Sequence, residues 1–421
     1  MKGIINRAYG FTFKASLYMY YLMLSYKEQF KTKRYTNIIH NKEFSGGKVM
    51  LLALYEKTKL RNDTLELLKE AKNQGVYIIA VNTLTIAKEN YCPEFIDVYI
   101  ERDNFGRDFG SYKAGMKYFF DKKIVDKCDR LLILNDSVFF SKRGLPEFIS
   151  DLFNTEIDVL GATENREISH HLGSFCISVS GDVTRKKKFI DYWDNYKPSN
   201  VRPLVIKRGE FTLSKVLKSL ARDETHFAAL YNVTAFEKAL LSNDDLFKNY
   251  FRLRREGERR YWTNQYLIQY FEHDYILKSF YQKYIEEQKK NEKRAVYKNM
   301  NDKKEDAVNF VDFTAFLSSV DYNVLPQGPL LKERLMSIYL DDFTRGSQIH
   351  NNCIALHYIG LPIIKLDLIY RSVCNFNDLL KLKEQLDPSQ RDDFMAMLTS
   401  RLSGEKFLFG LNRKAFDCGI L

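Results

Sequence analysis

The sequence predicts an α/β fold built on a mostly parallel sheet flanked by helices. Three observations carry that expectation. Short apolar runs of strand type recur from residue 48 onward, a capped helix with Leu at helical spacing separates the first two, and the links are short. Strand, helix and strand joined in this way form the βαβ unit of a parallel sheet.

The elements follow in order. Residues 11–30 (FTFKASLYMYYLMLSYKEQF) are rich in Tyr, Leu and Met, have basic flanks and read as an amphipathic helix. Two placements suit it: packed on its own domain, or lying at a membrane interface with Tyr among headgroups and Lys on anionic lipid. Ser25-Tyr26-Lys27 is a poor cleavage site for a secretory leader. Residues 48–55 (KVMLLALY) are a strand. Residues 62–74 (NDTLELLKEAKNQ) open on capping Asn and Asp and stop before Gly75, which marks a helix. Residues 76–81 and 97–101 are the next strands; the loop NFGRDFGS follows, with Ser111 expected to cap a helix whose apolar face uses Tyr112, Met116, Phe119 and Phe120. Residues 131–134 (LLIL) form a fourth strand ending at Asn135-Asp136-Ser137, and 158–161 and 174–180 form two more.

Around Ala228 the character changes: residues 235–246 read as a helix, residues 251–304 are dense in Arg, Lys and Tyr, and residues 301–306 are expected as an exposed turn. Apolar runs return from Ile349, and amphipathic helices close the chain. This order gives a basic aromatic N-terminal helical segment (1–47), a core (48–227), a basic helical insertion (228–345) and a C-terminal segment packing back on the core (346–421).

Composition narrows the class. The chain has 421 residues, is 45% hydrophobic and 28% charged, and holds only 20 Gly and 8 Pro, which excludes disordered and fibrous proteins. Its six cysteines are scattered without a CxxC pair, the pattern of reduced thiols in a cytoplasmic protein rather than a disulfide framework or zinc site. No run of 18 apolar residues is present to span a bilayer. The net charge of +11 is concentrated: residues 1–48 carry nine Lys/Arg and two Glu, and residues 252–304 carry fourteen basic and eight acidic side chains. The remainder nets −2, so the basic character belongs to two attachments. That distribution fits contact with an anionic membrane or a phosphate-bearing acceptor.

In an open parallel sheet, ligands sit beyond the carboxyl ends of the strands. Three polar clusters fall there. In the first, Asn104 to Ser111, Gly106 and Gly110 allow close backbone approach, the next helix N-terminus favours an anion, and Arg107 can neutralise a phosphate. It is no P-loop, which requires GK[ST]. The second is Asn135-Asp136-Ser137, where sugar transferases of the GT-A fold keep an Asp-x-Asp; an acid there can hold a diphosphate-bound Mg²⁺ or the donor's ribose. The third is Glu210 in KRGEFTLS, at an expected helix start. His170-His171 precede a strand and face opposite sides, so at most one enters a cleft, and their spacing is no zinc motif.

Taken in order, ERDNFGRDFGSYKAGMKYFF, LLILNDSVFF, DVLGATEN, HHLGSF, FIDYWDNY and GEFTLSKVL resemble the rhamnan-synthesis protein F family of bacterial polysaccharide glycosyltransferases. Near the C-terminus Gly360-Leu361-Pro362-Ile363-Ile364-Lys365 looks like that family's G-x-P-F-I-K element. The likeness spans residues 48–219 and 351–371. It implies a GT-A-like, Rossmann-related sheet and transfer of a sugar from a UDP- or TDP-linked donor to a lipid-linked or oligosaccharide acceptor of capsule, O-antigen or rhamnan type. On that reading Asn104, Gly106, Arg107, Asp108, Ser111, Asn135, Asp136 and Ser137 bind donor, with Asp136 at the Mg²⁺ or Mn²⁺ position. Glu210 is the acceptor-side base with His171 as a catalytic partner, His170 and Lys365 lie toward the acceptor, and the enzyme sits on the inner face of the cytoplasmic membrane. Two other classes stay open: a non-catalytic assembly relative, and a basic nucleic-acid-binding protein, for which no recognition motif accompanies the charge.

Overall fold

The computed structural model describes residues 2–166, 168–255, 274–292, 328–400 and 408–417. The expected turn at 301–306 and most of the basic stretch 252–304 lie outside them. An eight-stranded sheet organises the core, in the order β1 (Thr36–Asn41), β4 (Val98–Arg102), β3 (Tyr77–Asn82), β2 (Gly47–Leu54), β5 (Cys128–Asn135), β10 (Cys176–Ser180), β7 (Val159–Gly161), β11 (Phe227–Ala229). Neighbours pair in parallel except β1 on β4 and β10 between β5 and β7. This is the mostly parallel α/β architecture with flanking helices expected of the sequence.

Alternation along the central strand explains the two layers. Met50, Leu52 and Leu54 of β2 point to one face, with Leu67 and Leu68 of α2 (Asn62–Asn73) and the helix Leu145–Phe153. Val49, Leu51 and Ala53 point to the other, with Phe109, Tyr112, Met116 and Phe119 of α3 (Arg107–Asp121). Each Val, Leu, Met or Phe among them contributes about 1.5–3 kcal/mol on burial. The close approach of α3 needs Gly115, where a Cβ would lie 2.2 Å from the Leu51 side chain.

Four features differ from the sequence reading. The 30-residue helix α1 (Lys2–Lys31) runs past both ends of the expected helix. It rests on the core through Leu17, Tyr18, Tyr21, Leu22 and Leu24 against Val201 and Leu204. Helix α3 starts at Arg107, four residues before the expected cap, because Gly106 at φ 97° turns the chain directly into it. The sheet continues through β11, so Ala228 and Ala229 belong to it and not to the insertion. The expected helix at 235–246 is split at Asn243, which caps Asp244–Asn249 by accepting from Leu246 N–H.

The C-terminal segment returns to the core through a strand. β12 (Ile363–Lys365) pairs antiparallel with β6 (Val138–Phe140), placing Lys365 opposite Val138. Phe139, Ile354, Ile364, Leu368, Leu382 and Phe394 fill the apolar cluster behind this pairing. The chain has now closed the carboxyl end of β5 with a segment more than 200 residues away.

Candidate functional site

Arg102, the last residue of β4, builds the first loop from beneath. Its guanidinium donates to Asp103 O (2.7 Å), Phe105 O (2.6 Å) and Arg107 O (2.5 Å), and its Nε to Ser111 Oγ (2.9 Å). Burial pulls it down to about 10, still charged at neutral pH. A Cβ on Gly110 would stand 2.5 Å from Phe105 O and 2.8 Å from this guanidinium, so the second glycine of GRDFG makes room for the arginine. The first is clamped from outside: Gly106 N–H donates to Asn200 Oδ1 (2.7 Å), and Arg107 Nε donates to Asn200 O (3.1 Å). Asn104 is exposed ahead of this clamp. Ser111, expected among donor contacts, is buried with its hydroxyl on Arg102; it supports the loop from behind and presents nothing to a ligand.

The Asn135-Asp136-Ser137 turn ends β5, and Asn135 ties the site together. Its Nδ2 donates to Asp108 Oδ2 (3.2 Å) and Tyr112 Oη (2.9 Å), while its Oδ1 accepts from Ser137 N–H (3.1 Å) and Oγ–H (2.6 Å). From Ser137 the network passes to Lys365, whose Nζ donates to Ser137 Oγ (2.9 Å). From Tyr112 it reaches Ser174 O (3.0 Å), and Ser174 Oγ donates to Glu210 Oε1 (3.0 Å). Asp108, Asn135, Ser137, Lys365 and Glu210 therefore belong to one hydrogen-bonded array drawn from four separate stretches of chain. Glu210 stands in a π-helical turn, Ile206–Phe211, that runs on into the helix Thr212–Leu220. Such single-turn widenings recur at functional sites.

The charges are mixed and dense. Burial raises the Asp108 carboxyl, against the Phe109 N–H, Lys365 and Arg107. Burial also draws the Lys365 ammonium below its ordinary value, opposed by Asp367, Glu210 and Asp108. Asp367 is held well below the usual carboxylate range despite its burial, because His350 at 3.0 Å, Arg371 and Lys365 surround it. Arg202 opens the short helix Arg202–Val205 and faces this group.

Three residues stand elsewhere than expected. Lys365, read as acceptor-side, is bonded to the turn assigned to the donor, because the β6–β12 register puts it there. His170 is turned onto Glu164 (Nε2 to Oε2, 2.8 Å), and its ring stacks edge-on against Phe227. His171 is buried in the short strand β9 (His171–Leu172), with Nδ1 on Ser169 O (2.7 Å) and its ring edge-on to Phe211, 4.7 Å away.

The surroundings of Asp136 do not suit a divalent ion. Its Oδ2 accepts the Tyr55 N–H at 2.5 Å, and Arg61 donates to its backbone oxygen at 2.9 Å and to Val138 O at 2.7 Å. The acids nearest it, Glu56 and Asp63, are already paired with that guanidinium at 3.5 and 3.1 Å. Among the described residues no group of three or more His, Cys, Asp or Glu is arranged to hold a metal ion. Burial lifts the carboxyls of Asp136 to about 6 and Glu56 to about 7. Carboxylates already engaged by an arginine and a backbone N–H make a poor cation cage.

Comparison with known proteins completes the picture. The profile of a family described as Rhamnan synthesis protein F matches residues 76–332, more than half of the chain. The chain belongs to that family. An uncharacterized protein y4gN of Sinorhizobium fredii is 29% identical over 149 residues, 34% of this chain and 38% of that protein. Virulence protein VirA of Vibrio anguillarum is 34% identical over 105 residues, 25% of this chain and 33% of that protein. The chain thus spans between a third and two fifths of the length of these relatives. The glycosyltransferase GlyE of Streptococcus pneumoniae superposes over 49% of this chain and 51% of its own, at 13% identity and a TM-score of 0.25, too loosely to bear on the site.

Proposed function

We propose that the protein is a glycosyltransferase that moves a sugar from a nucleotide-sugar onto a growing bacterial cell-surface polysaccharide, with Glu210 as the base. The observation that carries this reading is the array joining Glu210, through Ser174, Tyr112 and Asn135, to Asp108 and Lys365 at the carboxyl ends of the strands. Membership of a rhamnan-synthesis family supports it. The acceptor hydroxyl gives its proton to Glu210 as its oxygen attacks the anomeric carbon. The bond from that carbon to the donor's phosphate breaks, and the nucleoside diphosphate leaves with the electron pair. Ser174 fixes the carboxylate, and cations opposite it stabilise the developing charge on the leaving group.

The lipid-linked or oligosaccharide acceptor and the anionic membrane enter through α1. No helix among the described residues is long and apolar enough to cross a membrane. The outer face of α1 nevertheless exposes Phe11, Phe13, Met19, Met23, Tyr26 and Phe30. Aromatic and Met side chains beside lysines suit an interfacial helix. A cavity of about 300 Å³ between α1 and the Arg202–Val205 helix, lined by Leu17, Tyr21 and Leu204 with Lys14 and Lys207, has room for the apolar end of a lipid-linked acceptor.

The test is Glu210→Gln, assayed by nucleoside-diphosphate release with acceptor present. Transfer should fall by roughly 10²–10⁴-fold with donor affinity kept. Near-wild-type turnover removes Glu210 from the role, and no release by the wild-type chain with any nucleotide-sugar removes the enzyme reading.

A further inference from the structure

We propose that Arg202, together with Arg107 and Lys365, forms a cradle that binds a diphosphate without a divalent ion; this rests on the glycosyl-transfer reading above for its place in a reaction, and on the geometry alone for its existence. Three elements converge to make it. Lys365 is brought to the Asn135-Asp136-Ser137 turn by β12 and anchored on Ser137 Oγ at 2.9 Å. Arg107 is anchored on the backbone of Asn200 at 3.1 Å, and Asn200 in turn receives the Gly106 N–H. Arg202 follows Asn200 by two residues, at the first position of its helix.

The cations differ in what they already hold. Arg371 is engaged by Asp367, which also takes His350. Arg202 is partly buried, yet its guanidinium makes no hydrogen bond and no ion pair within 4 Å among the described residues. Its electrostatic neighbours are Arg371 and Arg107 on the unfavourable side and Asp367 and Glu210 on the favourable side. A half-buried guanidinium left beside two others is costly unless an anion completes it. Asp108 is already engaged, accepting from Asn135 Nδ2 at 3.2 Å and from Phe109 N–H at 3.0 Å. Of the carboxylates at hand, Asp367 is committed and Glu210 is bonded to Ser174.

The chemistry that fits is a diphosphate. Arginine forks bind phosphate oxygens in pairs, and an ammonium serves as a point charge on a bridging or second phosphate. Three fixed cations supply the neutralisation that a metal would otherwise give a leaving diphosphate. This agrees with an Asp136 that is turned to Tyr55 N–H and hemmed by Arg61. Two sources carry the group: the nucleotide-sugar donor and a polyprenyl-diphosphate acceptor.

The experiment is calorimetric titration of the full chain with inorganic pyrophosphate in EDTA, repeated with Mn²⁺. The wild type should bind in EDTA, with less than a threefold change on adding Mn²⁺. Arg202→Gln should weaken binding at least tenfold, and Arg202→Lys, which keeps the charge and loses the fork, should fall between. Binding that requires Mn²⁺, or wild-type affinity in both variants, overturns the proposal. Should Arg202→Gln not fold, Arg202→Lys and Lys365→Met decide it by the same criterion. Competition of pyrophosphate by UDP or TDP assigns the cradle to the donor, and competition by farnesyl diphosphate assigns it to the acceptor; competition by neither overturns it. Failure here, with nucleotide release still dependent on Glu210, leaves the transfer reading standing. Pyrophosphate binding without any release has the opposite meaning.

Discussion

Lys365 Nζ donates to Ser137 Oγ at 2.9 Å across 228 residues of sequence, and this bond joins the C-terminal segment to the turn that ends the central strand β5. The ammonium also lies 4.5 Å from the centre of the Phe175 ring, so a flexible side chain is held on two sides. Replacing Lys365 with Met keeps the length and apolar stem while removing the charge. Pyrophosphate affinity should fall roughly tenfold to hundredfold, the scale of a lost charged hydrogen bond of about 1.5–3 kcal/mol. The melting temperature should move little, because β12 and its apolar cluster remain. Unchanged affinity would show that Lys365 only fastens the segment.

Gly106 is predicted to be intolerant of a methyl group. Its φ of 97° disfavours L side chains, and a Cβ would stand 2.7 Å from the Pro198 side chain. Gly106→Ala should cost about 2–4 kcal/mol, summing left-handed strain and overpacking. Urea denaturation measures the stability, and pyrophosphate titration should show weaker binding as the Asn200 clamp loosens. A variant as stable as the wild type would mean that the loop relaxes freely.

Stability should depend on pH through Glu56. Burial lifts its carboxyl from 4.5 to about 7 in the folded chain, so the folded state holds a proton that the unfolded state has released. The contribution is full below about 4.5 and is lost as pH rises toward 7, where the carboxyl must ionise in place. Linkage sets the scale at about 3 kcal/mol. Glu56→Gln mimics the protonated form and should be the more stable chain at pH 8, with the difference closing at pH 5. Parallel curves for the two proteins in urea would refute the burial argument.

The outer face of α1 should govern membrane binding without touching stability. Met19, Met23 and Phe30 are 65%, 60% and 87% exposed, so replacing all three with Ser removes no core contact. Sedimentation with phosphatidylserine vesicles should show the bound fraction dropping severalfold, with melting unchanged, and binding by wild type should weaken as salt rises. Equal binding by the triple variant would assign that face another role.

What the sequence disclosed was local. The layers of the sheet could be read from alternation, because Val49, Leu51 and Ala53 serve one face and Met50, Leu52 and Leu54 the other. GRDFGS, NDS and GEF were visible because each is a short polar or glycine-bearing string at a strand or helix end, and IIK because GLPIIK resembles an element of the family. Partnership across the chain was hidden. Nothing in the string IIK states that its lysine meets Ser137, since that depends on the pairing of β12 with β6. Arg102 and Arg61 looked like ordinary polar residues, one closing an apolar strand and one preceding a helix, yet each organises a loop by donating to several carbonyls. An arginine ending a buried strand just before a glycine loop is the signal that could have found the first. Ser111 misled for the opposite reason: a good capping residue is of no use as a cap once Gly106 has begun the helix four residues earlier.

The return of β12 also sets an order of events during synthesis. Residues of the first loop and the Asn135-Asp136-Ser137 turn leave the ribosome long before Lys365 does, and β6 waits for its partner through more than two hundred further codons. A nascent chain, or one cut short by a stop codon ahead of Ile363, carries every motif of the core and still lacks the residue that closes it. If Lys365 completes the cradle as proposed, ligand binding waits until β12 has been made, and a fragment ending within the core would not compete for the ligand.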